Sequence, residues 1–163
     1  MQQAHLAQGD PLTLNAALVG RVYPPTQPYV VGREKVREFA TAIGDSNLAY
    51  HDVDAARELG YADVIAPPTF AFVIAYAGSS QAAMDPELGL DYSRVVHGEQ
   101  RFAFARPIVA GDCLVATATI EAIRAVAGND ILTTRVDLAT ASGEHVASTT
   151  TVIVARGTAE ESP

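Results

Sequence analysis

The spacing of hydrophobic positions changes near Tyr92: ahead of it apolar residues recur at helical intervals or in one solid run, and behind it they alternate. The solid run is Val64–Gly78, V-I-A-P-P-T-F-A-F-V-I-A-Y-A-G, without a charge. Pro67-Pro68 suits the start of a helix, because proline is tolerated in the first turn. The run predicts one buried helix of about ten residues ending near Gly78, roughly 15 Å long and so only half a bilayer core. A helix that is apolar on every side has to be wrapped rather than laid on a surface.

Upstream, Pro24-Pro25 and Pro28 forbid helix and lead into a short strand, Tyr29-Val30-Val31, closed by Gly32. From Arg33, Val36, Phe39, Ala40 and Ile43 recur at helical spacing with charges between them, and Gly44 stands at the C-cap. Gly44–His51 is a polar loop, and Asp52 or Asp54 caps a second short helix closing at Gly60. Behind Tyr92, Val96, Phe102 and Phe104 alternate with His97, Glu99, Arg101 and Ala103. Leu114, Ala116, Ala118 and Ile120 predict a second strand, Leu132, Thr134, Val136 and Leu138 a third, and His145–Ala155 a fourth. With turns at Gly128-Asn129 and Ser142-Gly143, four long strands in sequence read as an antiparallel meander. The expected architecture is α+β: a curved antiparallel sheet of about five strands wrapped around one long apolar helix. Its free edge invites pairing across a two-fold axis into a dimer. Residues 1–20 are expected to be a flexible arm, with Leu12, Leu14 and Leu18 able to dock; 21–156 form one domain, and 157–163 a frayed tail.

Composition narrows the function. The 163 residues are 48% hydrophobic and 18% charged, which is globular, and the net charge of −8 argues against nucleic acid or an anionic membrane as partner. Cys113, alone of its kind, excludes an internal disulfide and a cysteine zinc site. With no apolar leader after Met1, the expected location is cytoplasmic.

Several runs together carry a family resemblance: Y-P-P-T at Tyr23, V-G-R-E-K-V-R-E-F-A at Val31, I-A-P-P-T-F at Ile65, L-D-Y-S-R-V-V-H-G-E-Q-R-F at Leu90 and R-P-I-V-A-G-D at Arg106. With Asp45-Ser46-Asn47 lying between an amphipathic and a buried helix, the chain resembles the MaoC-like hydratases and dehydratases over roughly Arg21 to Arg156. It is closest to the small single-hot-dog branch that includes non-catalytic subunits of mycolic-acid hydroxyacyl dehydratases. The resemblance implies the hot-dog fold and reversible removal of water from (3R)-3-hydroxyacyl thioesters, on coenzyme A or acyl carrier protein. Neither a metal nor any other cofactor is implied.

Syn elimination α to a thioester needs a base for the C2 proton, an acid for the leaving hydroxyl and a donor for the enolate-like oxygen. In catalytic relatives a loop G-D-x-N-P-x-H supplies base and acid. Gly44, Asp45 and Asn47 match it; Leu48 replaces the proline, Tyr50 stands at the histidine position, and His51 comes one residue late. The resemblance therefore implies Asp45, His51 and Asn47 as catalytic candidates, with Tyr50 beside them. In catalytic relatives the buried helix opens with His-Gly, whose glycine N–H binds the thioester oxygen. Here that pair is Pro67-Pro68, which has no N–H, leaving Thr69 to donate one residue on. Pro67, Pro68, Thr69, Phe70 and His97 complete the expected substrate surface.

Plainer explanations stand beside these. Asp, Ser and Asn after a glycine are also turn formers, and Phe70, Phe72 and Tyr76 are also core residues. His97, Glu99 and Arg101 are expected on one face, as a polar stripe or a displaced acid–base pair, and Cys113 as a buried small hydrophobe. Ser79-Ser80 lacks a nucleophile-elbow context, and no acidic residue in the first turn of the buried helix suggests a thioesterase. An anionic thioester would need arginines gathered locally, from Arg33, Lys35 and Arg37, or from Arg101 and Arg106, or supplied by a more basic partner. Three functions follow: a dehydratase subunit shaping the acyl tunnel in a heterodimer with a catalytic MaoC-like chain, a self-sufficient homodimeric hydratase using Asp45 and His51, or a non-enzymatic acyl-thioester binder.

Overall fold

In the computed structural model, residues 14–157 are described. Strand β1 (Tyr29–Val30) is followed by helices α1 (Arg33–Ala42), α2 (Val53–Glu58) and α3 (Ala71–Ala83). Strands β2 (Val95–Phe104), β3 (Cys113–Val126), β4 (Asn129–Thr140) and β5 (His145–Ala155) come next. The five strands form one antiparallel sheet in the order β1-β3-β4-β5-β2. This corrects the expected meander: only β3, β4 and β5 follow one another through hairpins, and β2 pairs with β5 at the far edge. The hairpin turns lie at 127–128 and 141–144, whereas residues 105–112 between β2 and β3 must cross from one side of the sheet to the other. The β3–β4 turn falls one residue earlier than the sequence suggests, with Ala127 (φ 48°) and Gly128 (φ 76°) as its central pair.

Alternation decides which face is covered. Leu114, Ala116, Ala118 and Ile120 of β3 and Leu132, Val136 and Leu138 of β4 are buried, and α3 lies across them. Burying each large aliphatic side chain is worth about 1.5–3 kcal/mol. The α3 helix runs past Gly78 to Ala83, because the glycine is there for proximity rather than termination. A Cβ on Gly78 would sit 3.1 Å from Val136 Cγ1 and 3.3 Å from Ala116 Cβ. The sheet covers only part of the helix: Ala71, Ile74, Ala75, Gly78 and Ala82 are buried, while Tyr76 and Ala77 on the other flank are exposed.

Leu14 and Leu18 of the expected arm dock into the core, the Leu14 N–H donating to Asp130 Oδ2 at 3.0 Å, and Val22 bridges to Thr119. Leu12 and most of the expected tail lie outside the described residues. Cys113 is exposed, not buried as expected, since Leu114 takes the inward position at the start of β3. Among the described residues no helix is long and apolar enough to cross a membrane, and no His, Cys, Asp and Glu cluster suits a metal.

Candidate functional site

The way α1 ends builds the loop that follows it. Gly44 turns left-handed (φ 74°), so the Asp45 N–H reaches the Ala40 carbonyl at 2.9 Å and the Gly44 N–H the Thr41 carbonyl at 3.1 Å. Asp45, half-buried, accepts the Asn47 N–H on Oδ1 at 3.0 Å, and Asn47 Oδ1 accepts the Ala49 N–H at 3.0 Å. Both bonds belong to turn chemistry. A single 3-10 turn, Leu48–Tyr50, then sends Tyr50 inward. Burial, and next the charge of Asp45, push the Tyr50 phenol above its ordinary value. His51 Nε2 lies 2.8 Å from the backbone carbonyl oxygen of Asp45 and donates to it, while the Arg37 Nε–H donates to the His51 carbonyl at 2.8 Å.

The entrance to α3 is pinned beside this loop. The Ile65 N–H donates to the Ala49 carbonyl at 3.1 Å, Ala66 to Ile108 at 2.8 Å, and Ala110 to Val64 at 2.9 Å. Pro68 opens a 3-10 turn running to Phe70, with Pro68 and Thr69 exposed and Pro67 buried. Tyr50, Ile65, Pro68, Phe104 and Arg106 line a groove of about 330 Å³ between the approach to α3 and the end of β2. The structure thus brings Tyr50 and Pro68 together, with Asp45, Asn47 and His51 on the loop behind Tyr50. Phe70 belongs to the core: it is buried, edge-on to Phe39 at 5.3 Å and Tyr29 at 6.4 Å.

His97 sits elsewhere, and the expected stripe with Glu99 and Arg101 does not form. Gly98 is a bulge: His97 faces Ile153 and Glu99 faces the next residue of β5, Val152. One extra residue reverses the parity, so His97 points at α3, its ring 5.9 Å from that of Phe72, while Glu99 lines a shallow depression with Arg101 and Glu121 on the outer face. There Arg101 holds the Glu99 carboxyl below its ordinary value. A displaced His97–Glu99 acid–base pair is therefore excluded by geometry. His97 instead lines a second, smaller cleft between α3 and the sheet with Phe72, Tyr76, Tyr92, Thr134 and Thr151. In the sequence this cleft is marked by Thr134, a polar residue in an otherwise aliphatic inward row.

The cations expected to gather for an anion are each beside a carboxylate instead. Arg33 binds Asp63, Lys35 approaches Glu38, Arg37 binds Glu34, and Arg101 binds Glu99. Arg106 is held by both oxygens of Asp112, at 2.8 and 3.0 Å, and by Glu144 at 2.8 Å.

A family model described as the FAS1-like dehydratase domain region matches residues 17–149. The chain belongs to that family. Among curated relatives of this dehydratase-region protein, a UPF0336 protein of Streptomyces coelicolor is 58% identical over 149 residues, covering 91% of this chain and 99% of the relative. A UPF0336 protein of Saccharopolyspora erythraea is 51% identical over 150 residues, or 92% and 96% of the two chains. Among solved structures, a MaoC-like dehydratase superposes with a TM-score of 0.80 at 38% identity, covering 86% of this chain and 42% of that longer one. The HadBC (3R)-hydroxyacyl-ACP dehydratase complex of Mycobacterium tuberculosis gives 0.75 at 31% identity, covering 84% and 96%. This is a MaoC-like hot-dog protein, as the sequence motifs implied, and its kinship is with hydratases and dehydratases.

Proposed function

We propose that the chain is one subunit of a (3R)-hydroxyacyl-thioester dehydratase, shaping the substrate site beside a MaoC-like partner that carries the full acid–base loop and the glycine donor. The observation that carries this reading is the entrance to α3: where an oxyanion donor is needed, Pro68 lines the groove and has no N–H. Loss of one such donor costs about 10²–10³ in turnover. The loop agrees, because the His51 Nε2 proton is spent on a backbone carbonyl and Tyr50 fills the position of the missing histidine.

Assembly fits the same reading. The second edge of β2 is unpaired among the described residues, and α3 has an apolar flank that its own sheet leaves open. Two-fold pairing along β2 would cover both. Two structural neighbours are themselves complexes, HadBC and ChsH1–ChsH2; the second, at 18% identity, is a likeness of fold alone. With Arg33, Arg37, Arg101 and Arg106 of this chain already paired with carboxylates, recognition of an anionic carrier, coenzyme A or acyl carrier protein, falls to the partner.

Hydration of crotonyl-CoA by the purified chain, and by the complex it forms with a co-expressed MaoC-like partner, tests the proposal. The chain alone is expected to be nearly inert and the complex active, with Asp45→Asn in this chain leaving the rate of the complex within a few-fold. Full activity of the chain alone, abolished by Asp45→Asn or His51→Ala, would establish the self-sufficient hydratase instead. Tight thioester binding without turnover in either preparation would leave a binding protein.

A further inference from the structure

The inward face of the sheet carries a polar rung where a hydrocarbon tunnel would be smooth. Gln100 of β2, Thr151 of β5 and Thr134 of β4 stand in register across three strands. Thr134 and Thr151 are buried, yet both line the cleft under α3. The Thr151 hydroxyl donates to Gln100 Oε1 at 2.8 Å, so it meets the cleft as an acceptor. One rung on, the buried Thr149 Oγ1 has no hydrogen-bond partner among the described residues, which adds to the polarity of this face. At the mouth, Tyr76 and Tyr92 are half-exposed and His97 packs on Phe72.

The cleft is also small. Gly78 lets α3 rest closely on Ala116 and Val136, and the cavity between helix and sheet holds about 50 Å³. At roughly 10–15 Å³ per water that is room for about three to five water-sized groups. An alkyl chain would displace water from these hydroxyls without replacing its hydrogen bonds, and such exchanges lose affinity. Antiparallel two-fold pairing of β2 sets the His97 end of one strand against the Phe104 end of the other. In such a pair this cleft would lie toward the α3 entrance of the proposed partner.

We propose that the cleft receives a short acyl group bearing a hydrogen-bond donor, a hydroxyl in particular, and that Thr134 and Thr151 are the specificity-determining residues. The proposal deepens the dehydratase-subunit reading and rests on it for the thioester; the cleft itself is tested without turnover. The full chain, labelled at threonine methyl groups, is titrated with two saturated N-acetylcysteamine thioesters of matched length, 6-hydroxyhexanoyl and heptanoyl. The hydroxylated probe is expected to shift the Thr134 and Thr151 signals and to bind at least tenfold more tightly than its alkyl match. In the Thr134→Val, Thr151→Val chain that preference should vanish, while Thr151→Ser, which keeps the hydroxyl, should preserve it. Equal or tighter binding of the alkyl probe, or binding that leaves both threonine signals unmoved, overturns the proposal. In the complex, the hydroxylated 2-enoyl thioester should be hydrated with at least tenfold higher kcat/KM than its alkyl match. A complex inert on every thioester would refute the subunit reading while leaving the binding result to decide the cleft.

Discussion

Asp85 illustrates how one residue ties the chain's beginning to its middle. Its Oδ2 accepts from the Tyr23 hydroxyl at 2.8 Å and from Arg21 at 2.7 Å, and its Oδ1 accepts the Glu87 N–H at 2.9 Å. The Tyr23 bond first, then that backbone N–H and the Arg21 guanidinium, pull the Asp85 carboxyl below its ordinary value; burial and the same contact push the Tyr23 phenol up to about 12. A depressed carboxyl binds its proton more weakly folded than unfolded. Its contribution to stability is therefore complete above the ordinary value of about 3.9 and is lost as pH falls through the lower folded value. Asp85→Asn should lower the urea midpoint at neutral pH, and the gap from the parent protein should close as pH is lowered below about 3.9; a gap independent of pH would contradict the assignment. At this scale the sequence was partly legible. Gly44 at the end of α1 marked the loop correctly, whereas the inward turn of Tyr50 and the outward one of Cys113 depended on neighbours distant in the chain.

Among the elements, α3 forms one wall of the His97 cleft, and Gly78 sets how closely that helix lies on the sheet. Alanine would improve intrinsic helix propensity by about 1 kcal/mol. Yet its methyl group would meet Ala116 Cβ at 3.3 Å and Val136 Cγ1 at 3.1 Å, one fixed to the sheet backbone and the other on a stiff β-branched side chain. Overpacking of this kind costs about 1–3 kcal/mol, so Gly78→Ala is expected to destabilise by about 1 kcal/mol net, read from urea unfolding; a more stable variant would show that the helix can lift off the sheet. Strand β2 teaches the complementary lesson. Its alternation is read correctly from Phe102 and Phe104, but the Gly98 bulge inverts the faces ahead of it, and a bulge leaves no mark in the spacing beyond a glycine.

For the whole molecule, charge and coverage point to assembly. A net charge of −8 repels an anionic carrier, and Arg33, Arg37, Arg101 and Arg106, the cations expected to meet one, are each engaged by carboxylates. The chain alone should therefore bind coenzyme A weakly and with little salt dependence. The affinity of the complex should fall steeply as salt rises from about 50 to about 200 mM, as calorimetry would record. Strong, salt-sensitive binding by the chain alone would place the basic patch here instead.

The sequence by itself determined the local content of this protein. It specified helices by their spacing, strands by alternation, the end of α1 by Gly44, the proline-blocked entrance of α3, and the motifs that place the chain among the MaoC-like hot-dogs. These are interactions between residues a few positions apart, and their period is visible in one dimension. The tertiary structure alone decided that β2 lies beside β5, that His97 and Glu99 part company at Gly98, that one flank of α3 stays open, and that Thr134 and Thr151 meet under the helix. Each depends on pairing between segments tens of residues apart, where register and curvature, not spacing, choose what touches what.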